Sequence, residues 1–369
     1  MTRAAVLLGL DQPLTFRDDV EVEAPRAGEI RIRVAACGVC RSDLSMQDGT
    51  MPVPMPTVLG HEASAVVTGI GEGVTGLQPG DHVVVSWVPQ CGECFFCRRG
   101  QPQLCQTSDA VLLTGGLLDG TPRLRLDGAP LFQMCGTGTY SEETVIPASA
   151  AVKVPEDLPL DVAALLGCSV LTGIGAALNT AAITPGDTVA VIGCGGVGLN
   201  VIQGARIAGA STIVAVDLHP AKLATAEAFG ATALVDASTT DPVNAVRDLT
   251  GQRGADVAFE ALGIATTIQQ TVDMTRRGGQ AVLVGIPSLD VMLTLPVMLG
   301  LVLQERTVKG CWYGSSDIRR DIPHLVDLYR DGSLLLDQLV SRRIDLSEVN
   351  TAFDAMKAGE VARSLIVYR

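Results

Sequence analysis

A glycine-rich turn between a buried strand and a helix constrains this chain more than any other feature. Asp187-Thr-Val-Ala-Val-Ile192 reads as a buried strand, Gly193-Cys-Gly-Gly-Val-Gly198 as the turn, and Leu199 to Ala208 as the helix that follows. A second strand, Ser211 to Val216, ends on Asp217. A GxGxxG hexapeptide alone is a weak signal, because a chain with 40 glycines offers chance matches. The strand before it and the helix after it make it strong. Gly193 permits the tight turn, Gly195 lets backbone approach a pyrophosphate, and Gly198 lets the helix pack on the strand. Gly196 and Val197 lead into a helix N-terminus whose amides carry partial positive charge. Asp217 stands where an acidic residue accepts hydrogen bonds from ribose hydroxyls, which predicts NAD over NADP. A 2′-phosphate would be repelled there, and Leu218-His219-Pro220 brings no arginine to receive it. The competing reading of Asp217 is a simple strand cap.

The rest of the chain falls into two rhythms. From Arg3 to about Val154, short period-two runs such as Glu29 to Val34, Ala63 to Ile70 and Asp81 to Trp87 are broken by Gly and Pro, which predicts a small twisted barrel or sandwich. After Leu165, strands alternate with alanine-rich helical stretches, the pattern of βαβ units and a parallel sheet. Residues 1–170 are expected to form the first domain and 171–312 the dinucleotide-binding one, with 313–369 returning to the first. At 369 residues, 47% hydrophobic and 18% charged, the chain suits a compact enzyme. A net charge of -13 with scattered basic residues argues against nucleic acid as a partner. The longest apolar stretch, Val291 to Gln304, is broken by Thr294, Pro296 and Gly300 and falls short of the ~20 residues a membrane helix needs, so it reads as an interface or core segment.

Cys91, Cys94, Cys97 and Cys105 fall within a lobe at residues 89–107. Four thiolates so closely spaced suit a closed tetrahedral zinc site, which leaves no position for substrate and therefore reads as scaffold. The competing reading, two disulfides, needs an oxidising compartment. Residues 1–30 contain no apolar run with a cleavage site, so the expectation is a cytoplasmic protein with reduced thiols.

Three further candidates are far apart in sequence yet each sits in a turn-like context: Cys40 in Cys37-Gly-Val-Cys-Arg-Ser-Asp43, His61 in Leu59-Gly-His-Glu-Ala63, and Cys168 in Leu166-Gly-Cys-Ser169. Spacing alone does not unite them. In order, these segments match the ligand-bearing motifs of the medium-chain, zinc-dependent alcohol dehydrogenases, which the chain resembles essentially end to end, and in particular the dimeric, two-zinc members. The four-cysteine lobe, the glycine fingerprint and Gly359-Glu-Val-Ala-Arg363 belong to the same resemblance. It implies a Rossmann parallel sheet plus a mainly β GroES-like barrel domain. It also implies two zinc ions per subunit, one structural on the four-cysteine lobe and one catalytic on Cys40, His61 and Cys168, the ligand set known for alcohol dehydrogenase. The implied activity is NAD-linked oxidation of a primary alcohol, aliphatic or aromatic, to an aldehyde, or the reverse.

The resemblance also assigns roles. Ser42 accepts the alcohol proton and passes it to the cofactor ribose. Asp43 hydrogen-bonds the second nitrogen of His61, and Glu62 lies behind the metal. Arg41 and Arg363 grip the pyrophosphate, Thr172 backs the nicotinamide, and Lys222 steadies the adenosine ribose. Without the motif match, Arg41, Lys222 and Thr172 read equally as ordinary surface or packing residues. One departure stands out: Ser45 occupies the position of a histidine that completes a proton relay in better known members. His82, His219 and His324, the last expected to begin a tail helix, read as structural or solvent-facing, and Cys37, Cys135, Cys194 and Cys311 as small core or pocket residues.

Trp87, Leu117, Met134 and Cys135 fall in segments resembling those that line the family's substrate cleft. Two enzymatic alternatives remain, a nicotinoprotein that keeps its NADH bound and a thiol-adduct formaldehyde dehydrogenase. The glutathione adduct is disfavoured because Gln106-Thr-Ser-Asp109 carries an acid where those enzymes place an arginine. A zinc-lobe protein that binds a macromolecule is the non-enzymatic alternative, and the acidity and intact fingerprint count against it. The segment Asp119 to Tyr140 resembles the insertion of dimeric members, and with Val291 to Leu303 available for edge pairing the expectation is a homodimer.

Overall fold

In the first half of the chain, alternation of burial follows alternation of sequence. Along the strand Glu29–Gly38, Ile30, Ile32 and Val34 turn inward while Arg31 and Arg33 turn outward. The computed structural model describes residues 1–359 and 363–369, so Glu360, Val361 and Ala362 of the Gly359 to Arg363 motif lie outside the described residues. Contacts divide the chain into two units, Met1–Ser169 with Asp317–Arg369, and Val170–Ser316.

The first unit holds a closed barrel of Thr2–Leu7, Thr15–Val22, Leu124–Leu126, Ala129–Gln133 and Thr57–Val58. Beside it lies a seven-stranded sheet centred on Glu29–Gly38, which pairs antiparallel with Ala63–Ile70, Glu143–Pro147 and Ser364–Val367. The 119–140 insertion supplies two of the barrel strands. It also brings Arg123, fully buried, against Glu29 at 2.5 Å and Asp119 at 2.7 Å. A guanidinium at such depth is tolerated only with its partners in place.

The second unit is a six-stranded sheet in the order Ala233–Asp236, Thr212–Asp217, Thr188–Ile192, Ala255–Glu260, Thr275–Leu283, Thr307–Gly310, every neighbouring pair parallel. In sequence rank this is 3-2-1-4-5-6, the doubly wound order that places the first turn at the topological switch point. Ala190, Ile192, Val214, Val216, Ala258 and Met274 form its core.

Three expectations meet a different outcome. Residues 313–316 fall with the second unit rather than with the returning segment, because Thr180 Oγ1 lies 2.8 Å from Ser315 Oγ and Asn179 Nδ2 donates to the Gly314 carbonyl at 3.3 Å. The stretch Val291 to Leu303 forms no strand for edge pairing. Pro296 lacks an amide hydrogen, Val297–Val302 coils into a helical turn, and the edge strand of the sheet is Thr307–Gly310. Nor is the stretch core, with Met292, Val297 and Leu299 exposed by 80%, 64% and 65%. His324 lies within the helix Ile318–Arg330 instead of beginning it. Among the described residues no single helix is long and apolar enough to cross a membrane.

Candidate metal centres and cofactor turn

The lobe sulfurs of Cys91, Cys94, Cys97 and Cys105 all lie within 4.8 Å of one another, and none is disulfide-bonded. Cys91 and Cys105 are 3.5 Å apart, Cys91 and Cys97 3.9 Å, and Cys94 and Cys105 4.0 Å. Four thiolates at about 2.3 Å from one tetrahedral zinc are separated by roughly 3.8 Å, so the set fits the ion. Backbone amides already point at the sulfurs: Cys94 N–H donates to Cys91 Sγ at 3.3 Å, and Cys91 N–H to Cys105 Sγ at 3.3 Å. Hydrogen bonds from the Cys97 and Gln106 backbones draw the Cys94 thiol down to about 6, whereas burial, with Cys94 and Cys105 adding to it, pushes Cys97 up to about 12. Without a cation the thiolates compete; with one, all four can ionise together. Arg319 anchors the lobe by donating to the Gln90 carbonyl at 2.9 Å.

Cys40, His61 and Cys168 converge in the same unit, buried, with their ligand atoms within 4.8 Å of one another. Cys40 caps the helix Arg41–Gln47, and its N–H donates to Asp43 Oδ2 at 2.9 Å. His61 follows Gly60, whose φ of +90° suits glycine, and a Cβ there would meet the Tyr140 backbone nitrogen at 2.6 Å. Cys168 Sγ lies 3.4 Å from His61 Nε2. On the far side of the ring, His61 Nδ1 is 3.2 Å from Asp43 Oδ1. Asp43 itself is fully buried and is held by the Gly60 amide at 2.9 Å and the Tyr140 hydroxyl at 2.9 Å. Burial, with the Asp43 charge adding to it, keeps the Tyr140 hydroxyl protonated well above its ordinary value, so it serves as a donor. This three-point grip leaves His61 Nε2 directed at the cysteines.

Behind the cluster, Glu62 Oε1 accepts from Ser169 Oγ at 3.1 Å and lies 3.6 Å from Arg363 Nε. Its Oε2 is buried with no hydrogen-bond partner among the described residues, and burial, opposed by Arg363, pushes the carboxyl up to about 7. Two thiols and an imidazole brought together in a buried place, with an unpaired carboxylate oxygen behind them, fit a cation. Zinc is the divalent ion that such a mixed sulfur and nitrogen set suits.

The remaining residues of the first unit are placed as follows. Ser42 is half-buried, its Oγ 3.9 Å from Cys40 Sγ, whereas Arg41 is exposed and Ser45 buried. Arg363 is buried and donates to the Val39 carbonyl at 3.0 Å. The Trp87 ring stands edge-on to His61 with centroids 6.4 Å apart. Cys135 is buried and its thiol pushed up to about 11, mainly by burial. Leu117 and Met134 are wholly buried. Cys37 and Cys194 are buried too, while Cys311 is only half-buried and accepts from Thr180 Oγ1 at 3.2 Å.

In the second unit the helix starts at Gly196, earlier than the sequence pattern implied, and runs to Ile207. A Cβ on Gly198 would meet the Gly193 carbonyl oxygen at 1.7 Å, so that position admits no side chain, whereas one on Gly195 would meet nothing. Gly193, with φ +95°, and the half-buried Gly196 and Val197 complete the turn. Asp217 is nearly buried and accepts from the Cys194 amide at 2.8 Å and the His219 amide at 3.0 Å. Each oxygen keeps a free lone pair, so capping and ribose binding are compatible. Lys222 is half-exposed on the helix Pro220–Ala228, and Thr172 is half-buried on Ser169–Gly175.

Residues 26–156 match the alcohol dehydrogenase GroES-like domain and residues 196–331 the zinc-binding dehydrogenase family. Over the whole length of both chains the protein is 38% identical to S-(hydroxymethyl)glutathione dehydrogenase of Paracoccus denitrificans. The chain belongs to the zinc-dependent medium-chain alcohol dehydrogenase family. A second relative, alcohol dehydrogenase class-3 of Cereibacter sphaeroides, is also 38% identical over 100% of both chains. Among solved structures, benzyl alcohol dehydrogenase from Acinetobacter calcoaceticus superposes with a TM-score of 0.94 at 32% identity, covering 100% of this chain and 99% of that one. Family membership and the two ligand sets together account for two zinc ions. Sequence reasoning missed Tyr140 and Ser169. Ser169 directly follows a ligand and was open to suspicion, but nothing near Tyr140 in the chain points to Asp43.

Proposed function

We propose that the protein oxidises a primary alcohol to an aldehyde, or reduces the aldehyde, with NAD as hydride partner. The observation that carries this reading is the buried Cys40, His61 and Cys168 cluster, oriented from behind by Asp43. Bound zinc supplies Lewis acidity toward the substrate oxygen. Asp43 fixes the tautomer and orientation of His61 by accepting at Nδ1, and Tyr140 and the Gly60 amide hold Asp43 in place. Ser42, half-exposed beside Cys40, holds the substrate proton at Oγ. In the second unit, the Gly196 and Val197 amides receive the pyrophosphate at the helix N-terminus. Asp217 receives the ribose hydroxyls and repels a 2′-phosphate, which supports NAD over NADP. Arg41, Arg363, Thr172 and Lys222 are proposed as further cofactor contacts, and Trp87 and Cys135 as apolar groups near the substrate.

A second reading shares this chemistry. The hydroxymethyl group of a thiol adduct is also a primary alcohol, and identity along the full chain to an S-(hydroxymethyl)glutathione dehydrogenase supports it. That likeness weighs against the sequence expectation that the exposed acid Asp109 disfavours the adduct. A cytoplasmic homodimer remains the proposed state. The test is an NAD-coupled screen of short, long and aromatic alcohols together with S-(hydroxymethyl)glutathione, with Cys168→Ala as control. Turnover of benzyl or aliphatic alcohols alone supports the first reading, and turnover of the adduct above both supports the second. Turnover of neither, or turnover retained in Cys168→Ala, contradicts the assignment.

A further inference from the structure

The second unit carries a cavity of about 500 Å³ at the opposite end of its sheet from the glycine turn, and five arginines line it: Arg247, Arg253, Arg276, Arg277 and Arg306. The turn follows the C-terminal end of the strand Thr188–Ile192. The arginines gather instead around strand beginnings: Arg253 precedes Ala255–Glu260, Arg276 and Arg277 open Thr275–Leu283, and Arg306 precedes Thr307–Gly310. Arg247 comes from the last turn of the helix Pro242–Leu249. This end of a doubly wound sheet lies away from the crevice where such folds bind their dinucleotide.

Such a concentration is unexpected in a chain of net charge -13 with only 27 basic residues. One carboxylate, Asp256, offsets part of this charge, and neutral acceptors satisfy further donors. Arg276 Nε donates to Asp256 at 2.5 Å, Arg277 Nε to Gln304 Oε1 at 3.2 Å, and Arg247 Nη2 to the Asp273 carbonyl at 3.0 Å. Arg306 is left over: its Nε is buried with no hydrogen-bond partner among the described residues. Burial holds its guanidinium below the ordinary value, Asp273 opposing and Arg247 adding to the effect. Five like charges facing one cavity repel, and an anion seated among them relieves that repulsion.

The geometry points to a binding site for a small anion carrying two or more phosphate groups, held by the Arg306 guanidinium at the base of this cavity and by Arg253 and Arg277 at its rim. Guanidinium forks match phosphate oxygens in pairs, and several forks around one cavity favour an anion with more than one phosphate. The assignment does not depend on the catalytic reading.

The test is calorimetric titration of inorganic pyrophosphate into the protein saturated with NADH, at low ionic strength, with citrate as a second probe. The expected result is one pyrophosphate per chain, bound more tightly than citrate and weakening as salt is added. Arg306→Gln is expected to weaken pyrophosphate by about tenfold or more, the effect of losing one charge-assisted contact. Because Arg306 is partly buried, the double variant Arg253→Gln/Arg277→Gln, at exposed positions, is titrated in parallel and is expected to show the same loss with an unchanged melting temperature. The variants report on this cavity whether or not NADH binds. No binding to the folded protein, displacement of pyrophosphate by NADH, equal affinity for citrate, or affinity unchanged in both variants would overturn the site.

Discussion

The two cysteine clusters of the first unit use similar ligands in opposite ways. In the lobe, four thiols come from one short half-exposed segment and backbone amides satisfy them. In the buried cluster, two thiols and an imidazole come from three distant segments, and the imidazole is oriented by the side chain of Asp43, itself held by Tyr140. A closed four-sulfur set has no position to offer substrate, whereas a three-ligand set keeps one open. The difference teaches that ligand number and local dielectric separate a staple from a reaction centre, although the donor atoms are much alike.

If that division holds, the largest effect belongs to the buried cluster. Cys168→Ala is expected to lower kcat by on the order of 10³-fold or more, the loss of several kcal/mol of Lewis-acid stabilisation, while NADH binding followed by fluorescence stays unchanged. The lobe should answer in stability instead. Cys97→Ser is expected to cost about 4 kcal/mol or more in denaturant unfolding, as loss of a structural metal does, with activity per folded molecule largely kept. Equal damage to activity from both variants would collapse the distinction.

Smaller effects sharpen it. Asp43→Asn removes the acceptor that orients His61 and is expected to reduce zinc affinity or kcat by about 10–100-fold, read by zinc competition and steady-state kinetics. Tyr140→Phe deletes one hydrogen bond to Asp43. It should cost about 1 kcal/mol, a change of roughly fivefold in the same assays, and no change at all would show that Asp43 is held without it.

How much of this was legible depended on whether the signal was local. The run Glu29 to Val34, the strand before Gly193 and the four lobe cysteines each carry their evidence within a few residues, and the structure shows two strands and a cluster in those places. Cys40, His61 and Cys168 carry none, because what unites them is the folded path of the chain, and only the family resemblance brought them together. Tyr140, and the ion-paired trio of buried Arg123 and Glu29 with exposed Asp119, stayed invisible for the same reason. The Val291 to Leu303 stretch misled in another way. Its apolar composition suggested edge pairing, but Pro296 removes an amide and the segment after it coils.

The most direct test counts zinc against turnover in three proteins. Elemental analysis should find two zinc ions per chain in the wild type. Cys97→Ser and Cys168→Ala should each keep one, with alcohol oxidation surviving in the first and lost in the second. Two zinc ions or undiminished turnover in Cys168→Ala would contradict the account.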